Sequence, residues 1–325
     1  MLKRPSLLLG LLAFGIAVAA PVAQAEVKTI RAVNCFPKGN AFSLRYEAFI
    51  AEVNSKAKGW TINYVGGAPA IGSPFTLIQN VAKGVFDMAH CTGSYYQNVL
   101  PEADALKMWE KTPAEIRKNG GWDYMDKLHN EKGLKLLARM EYGVKFHLYL
   151  RSEKPIKAAD LSGMRIRVAP IYQNFFVALG ASTLTSDLTQ VYTYMENKTV
   201  DGYGWPVTGL LPDWHKVTGW RVDPGFYDAD LELVMNFDAW QKLSAEQKQV
   251  IGEAALKYEE LGVKEAAEKT QESLKKQTEQ GIKAIALSGA ERDKWLKIAR
   301  DSGWNGIIKV SPTHGPVLKK YFATE

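Results

Sequence analysis

Lys28-Thr29-Ile30-Arg31-Ala32-Val33-Asn34-Cys35 reads as a buried strand, and the segments that follow it decide the fold. Pro37, Gly39 and Asn40 mark a loop, and a helix begins near Phe42 with Phe49, Ile50 and Val53 on one face. Trp60 to Val65 alternates as a second strand does, and Gly66-Gly67-Ala68-Pro69 ends it. Thr76 to Lys83 makes a short helix, and Val85 to His90 a third strand. Strand–helix–strand–helix–strand is the pattern of a parallel α/β sheet. Ligands of such sheets sit outside the carboxyl ends of the strands. Asn34, Cys35 and Phe36 occupy one such end, and His90, Cys91 and Thr92 another. Cys35 and Cys91 are therefore expected as near neighbours at a binding edge, either as a disulfide or as two buried thiols. Neither lies in a CxxC pair or a metal-like spacing.

Further along, Leu134 to Met140 and Lys145 to Arg151 read as strands leading out of this first unit. Met164 to Val168 is a strand ended by Pro170, and Tyr172 to Leu179 and Leu188 to Asn197 are helical. Val200-Asp201-Gly202-Tyr203-Gly204-Trp205-Pro206 reads as a sharp turn back into a cleft, and Leu231 to Asn236 as a strand. A second α/β unit is thus expected over Arg151 to Met235. Ser244 to Gly281 is free of proline and rich in Ala, Glu, Lys and Gln, all strong helix formers. Ser244 followed by Gln247 fits a capping box. Ile251, Ala254, Ala255, Tyr258 and Leu261 form one apolar face, and beyond Ala267 the pattern is polar almost all round. A helix this long and polar suits a bridge between two domains.

The first residues indicate export. Lys3 and Arg4 precede an uncharged apolar run, Leu7 to Ala20, and Ala23-Gln24-Ala25 offers a cleavage site after Ala25. The apolar run is shorter than the roughly 18–20 residues of a spanning helix. Over the whole chain, hydrophobic residues at 46% suit globular cores. The net charge of +6 is spread among interleaved lysines and acids, without the basic block of a nucleic-acid binder. His90, His129, His147, His215 and His314 form no HExxH or other zinc spacing, and there is no GxSxG elbow or P-loop. No cofactor is expected.

Gly163-Met164-Arg165-Ile166-Arg167-Val168 carries the chemistry. Residues two apart on a strand share a face, and an arginine at a strand end beside a cleft can clamp a carboxylate through two parallel hydrogen bonds. The run from Lys154-Pro155-Ile156 through Asp160-Leu161-Ser162-Gly163 to Val168 resembles the extracytoplasmic solute-binding proteins of tripartite ATP-independent periplasmic (TRAP) transporters, in the branch typified by C4-dicarboxylate-binding proteins. Gly84-Val85-Phe86-Asp87-Met88, Val191-Tyr192, Val200-Asp201-Gly202 and the helix from Ser244 match further blocks of that family.

The resemblance implies a two-lobed periplasmic-binding-protein fold with a long domain-spanning helix. The expected division is a leader over 1–25, lobe I over 26–150 with about 236–276, and lobe II over 151–235 with about 277–325. The ligand cleft lies between the lobes, and closure about a hinge excludes water around the ligand. It implies a periplasmic receptor without chemistry of its own, handing a small carboxylate to the small and large membrane subunits of the transporter. The alternatives are a secreted enzyme acting on a small acid and a receptor of another transporter family. Arg167 takes the role of the carboxylate-binding arginine. Where family members that bind polar acids often carry Asn before the proline, this chain has Trp205, a wide apolar face with one N–H donor. Asn34, Phe36, Asn40, Cys91, Thr92 and Tyr95 are expected on the first lobe's side of the cleft, and Phe226 and Tyr227 on the second's. Lys145 is a candidate second positive charge. With Trp205 in the cleft, aromatic or hydrophobic monocarboxylates should bind more tightly than succinate, malate or fumarate, because a second carboxylate would be buried unpaired.

Overall fold

The computed structural model describes residues 27–324, so the expected leader lies outside the described residues. The chain opens with β1 (Thr29–Asn34), α1 (Ala41–Lys56), β2 (Thr61–Gly67), α2 (Leu77–Ala82) and β3 (Met88–Cys91). A 3₁₀ segment over Pro101–Met108, α3 (Pro113–Lys118), α4 (Gly121–Asn130) and β4 (Leu134–Glu141) follow. Next come β5 (Phe146–Leu150), β6 (Arg165–Val168), α5 (Gln173–Ala178), β7 (Ser182–Thr185), α6 (Val191–Glu196), β8 (Gly202–Pro206), β9 (Trp220–Asp223) and β10 (Leu231–Asn236). The chain ends with α7 (Phe237–Lys242), α8 (Ala245–Glu279), β11 (Lys283–Ala286), α9 (Gly289–Val310) and α10 (Gly315–Phe322).

Two mixed sheets carry the two lobes. The first has the order β2-β1-β3-β10-β4, and the second β11-β9-β5-β8-β6-β7. As the sequence pattern implies, β1 runs parallel to β2 and β3. Their adjacency brings Cys35 and Cys91 to a Cα separation of 5.0 Å, joined as a disulfide. Among the described residues, no helix is long and apolar enough to cross a membrane.

Sheet membership departs from the expected boundaries at three places. β5 belongs to the second sheet, where it pairs with β8 and β9, so the first crossing falls before residue 146 rather than after 150. β10 belongs to the first sheet, antiparallel to β3 and β4, so the return crossing precedes residue 231. In both cases an apolar strand reads alike whichever sheet it joins, and pairing alone decides its lobe. The third departure is α10, which docks on the first lobe: the Phe322 ring lies 5.1 Å from that of Trp109, and Glu110 N donates to Phe322 O. Within the stretch 200–206, residues 202–206 are also a buried central strand, β8, rather than a turn. Its glycines are there for close approach, since a Cβ on Gly204 would sit 2.5 Å from the Tyr172 ring.

α8 behaves as its sequence suggests. Ser244 and Gln247 form the reciprocal capping box. Its first half packs on the first sheet, close enough that a Cβ on Gly262 would lie 2.4 Å from Met140 O. Its far end reaches the second sheet, where Gln277 donates to Val207 O and to Tyr149 Oη and accepts from Arg221. α9 spans the lobes in the opposite direction. Near its start Glu291 accepts from Ala159 N and Trp295 packs on Phe175, and beyond its end Ser311 bonds Glu102.

Candidate ligand-binding site

Strand ends from both sheets meet around one small cavity of about 30 Å³. Phe36 (after β1), Phe42 (α1), Thr92 and Tyr95 (after β3) and Asp230 (before β10) form one side. Phe146 (β5), Ile171 and Tyr172 (after β6) and Trp205 (β8) form the other. The aromatic rings interlock: Phe36 and Phe42 lie 5.3 Å apart, Phe42 and Trp205 5.6 Å, and Phe146 and Tyr172 5.3 Å. The Trp205 N–H donates to Gly209 O, so the ring offers the cavity its apolar surface.

Arg167 stands at the carboxyl end of β6 behind this wall. It is wholly buried, whereas Arg165, two residues earlier, is exposed. Arg167 Nε donates to Ser186 Oγ, Nη1 to Tyr172 Oη at 3.1 Å, and Nη2 to Ser186 O. Those bonds use three of the five N–H donors of a guanidinium, and two remain. Tyr172 in turn donates to Gly204 O, so β6, β8 and the cavity wall are tied through one hydroxyl.

The other residues singled out from the sequence have different placements. Asn34 is buried and accepts from Phe36 N, shaping the loop that presents Phe36. Asn40 caps α1 by accepting from Phe42 N. Cys91 is held in the disulfide immediately before Thr92. Phe226 and Tyr227 belong to an aromatic cluster outside the cavity wall, with Phe226 4.6 Å from Phe175 and Tyr227 Oη donating to Ala299 O. Lys145 is half-exposed, pairs with Asp228 at 2.7 Å, and lines a separate depression. Sequence reading missed Phe42, Phe146, Tyr172 and Asp230. Tyr172 was hidden in an apolar run that reads as ordinary helix. Asp230 had a signal, an acid set directly against the apolar strand Leu231–Asn236, which is an unusual place to bury a charge.

A family model described as bacterial extracellular solute-binding protein, family 7 (DctP), matches residues 37–302. The chain belongs to this family. A solute-binding protein of Roseobacter denitrificans is 25% identical over 249 residues, covering 74% of this chain and 75% of its relative. Among solved structures, a Bordetella pertussis extracytoplasmic solute receptor binding pyroglutamic acid superposes with a TM-score of 0.78 at 18% identity, covering 91% of this chain and 99% of the other. A TRAP periplasmic solute-binding protein from Roseobacter denitrificans with bound L-galactonate gives 0.75 at 20% identity, covering 92% and 99%.

The charged groups of this family 7 protein divide between the cavity and the core. Asp230 Oδ1 accepts from Thr92 Oγ1 at 3.1 Å and Oδ2 from Gly93 N at 2.8 Å. Burial pushes its carboxyl up to about 6, against the pull of Arg139, the Gly93 N–H and the Thr92 hydroxyl. Burial, and then the neighbouring Asp230, raise the Glu232 carboxyl well above its ordinary range. Arg139 lies beneath them and gives its N–H groups to Glu141 O, Leu106 O and Ala229 O.

Proposed function

We propose that this protein is a periplasmic receptor that captures a small organic monocarboxylate with an apolar or aromatic body and presents it to the membrane subunits of a TRAP transporter. The observation that carries the reading is Arg167: a wholly buried, permanently charged guanidinium with two N–H donors to spare, set behind an aromatic cavity between two lobes. A carboxylate is the partner that such a fork fits. The ligands of the two solved relatives, pyroglutamic acid and L-galactonate, both carry one. The rest of the cavity wall favours an apolar body. Lys145, the candidate for a second carboxylate, is engaged with Asp228 elsewhere. Phe36, Tyr95, Trp205, Phe42 and Phe146 then pack on the ligand.

The cavity is about tenfold smaller than the roughly 300 Å³ at the lower end of ligand pockets. An organic acid therefore enters by separation of the lobes and is enclosed by their return, which removes water and strengthens its pairing with Arg167. Calorimetric titration tests the reading. Benzoate and phenylacetate are expected to bind more tightly than succinate, malate or fumarate, and scattering should show a smaller radius of gyration with ligand than without. A clear preference for a C4-dicarboxylate would overturn it.

A further inference from the structure

Asp230 is a carboxylate in the wall of a cavity meant for a carboxylate, and that juxtaposition needs an explanation. Its exposure is 1%, and each oxygen accepts one hydrogen bond within the protein. A carboxylate has about four acceptor positions; two are used here, and the neighbouring Glu232 carboxyl competes for a third. The other wall residues that bear polar groups are Thr92, Tyr95, Tyr172 and Trp205. Of these, the Tyr172 hydroxyl is committed to Gly204 O and the Trp205 N–H to Gly209 O. Tyr95 lies within electrostatic reach of both charges: Arg167 favours ionisation of its phenol, and Asp230 opposes it. The cavity is thus bipolar, with a cation beyond Tyr172 and an anion beside Thr92.

We propose that Asp230 is a second polar subsite of this cavity, and that it selects acids that also carry an N–H or ammonium donor. The inference rests on the carboxylate reading and goes beyond it. With the ligand carboxylate on Arg167, a donor on the body of the ligand adds a hydrogen bond to an acceptor that closure shields from water. A second carboxylate on the ligand would instead meet a fixed negative charge. The Thr92 hydroxyl and Gly93 N–H hold the Asp230 carboxylate in one orientation.

Isosteric pairs separate the donor from the ring. Pyrrole-2-carboxylate and indole-2-carboxylate carry an N–H where 2-furoate and benzofuran-2-carboxylate carry an oxygen. For the wild-type protein, calorimetry should show each N–H acid binding roughly ten- to a hundredfold more tightly than its oxygen partner, the range of a hydrogen bond to a charged group. In Asp230→Asn, whose fold is checked by circular dichroism and melting, that preference should collapse or invert, because an amide can turn a donor toward the ligand. Equal affinity within the wild-type pairs, or an undiminished preference in Asp230→Asn, overturns the Asp230 subsite. The methyl esters serve as the control for the underlying reading. Should they bind as well as the free acids, the carboxylate assignment itself fails; should acids outbind esters while N–H and oxygen members tie, that assignment stands and the Asp230 subsite alone falls.

Discussion

Arg139 on β4 and Arg167 on β6 are both wholly buried, one in each sheet, yet their surroundings differ in kind. Arg139 gives its donors to three backbone carbonyls, from Leu106, Glu141 and Ala229, and stacks 4.7 Å from the Trp109 ring. Arg167 gives its donors to Ser186 and Tyr172 at the edge of a cavity. Backbone carbonyls of separate segments cannot be released without unfolding something. Each guanidinium keeps two N–H donors, and those of Arg167 stand next to Tyr172 of the cavity wall. The contrast teaches that burial of a cation does not identify a binding site; its partners and its place beside a cavity do.

The contrast can be broken most directly at Arg139. Arg139→Ala should destabilise the protein by on the order of 3–5 kcal/mol, because it strands three carbonyls and leaves Asp230 and Glu232 without their nearby cation. Urea unfolding would show this as a lower midpoint. A variant that melts like the parent but no longer binds ligand would reverse the roles assigned here. Arg167→Ala should do the opposite, lowering affinity for a carboxylate by at least a hundredfold, about 3 kcal/mol, with a modest change in melting temperature. Arg165→Ala, on the same strand but exposed, should change affinity less than twofold. Equal losses at the two positions in titration would remove the distinction.

Smaller effects sharpen the same comparison. The Cys35–Cys91 bond closes a separation of 56 residues and braces the loops that present Phe36 and Thr92. Replacing both cysteines with serine should cost about 2–4 kcal/mol of stability. Affinity should fall less than in Arg167→Ala, since no ligand contact is removed; a larger fall would make the disulfide part of the site. Acid should destabilise the fold through His90 and His129. Burial lowers the His90 imidazole to about 3 and His129 to about 4, so both stay neutral in the folded protein while the unfolded chain takes up protons below about 6.5. The unfolded state binds more protons across that window, so stability rises with pH there, by at most about 1.4 kcal/mol per pH unit for each histidine. Asp230 and Glu232 oppose this, because their raised carboxyls let the folded state hold protons that the unfolded chain has lost. The histidine contribution is therefore read by difference: from about pH 4 to about 6.5 the slope of unfolding midpoint against pH should be lower in His129→Gln than in the parent.

Much of this was legible in the residues. The apolar runs and glycine stops of 28–91 specify a parallel sheet because period and punctuation are local properties, and the disulfide partners follow from adjacent strand ends. Ser244 and Gln247 announce the start of α8 because a capping box is complete within four residues. The family motif drew attention to Arg167, though spacing alone could not say that Arg165 would be exposed and Arg167 buried. What was not legible depends on pairing across long separations. β5 and β10 joined the sheets opposite to expectation because nothing in five or six apolar residues names their neighbours. Gly202-Tyr203-Gly204-Trp205-Pro206 looked like a turn because glycine and proline usually mark one. Here the glycines clear room for Tyr149 O and the Tyr172 ring in a packed strand. Asp230 escaped notice because a site acid and a strand-capping acid look the same until the opposite wall is known.

The placement of the chain ends sets the mechanics. At the start of the described chain, Val27 O accepts from Gln247 of α8, and at its end Thr324 N donates to Glu110. Both attachments lie on the first lobe, while the second lobe is reached and left twice, through residues 142–145, 224–230, α8 and α9. Among the described residues, the first lobe is therefore a frame and the second a jaw held by four connections. At 35 residues, α8 is a strut about 52 Å long that cannot shorten, so the jaw can swing but cannot slide away. A handle fixed to either end would grip the frame alone, and tension between two such handles would run through the frame without prying the jaw open.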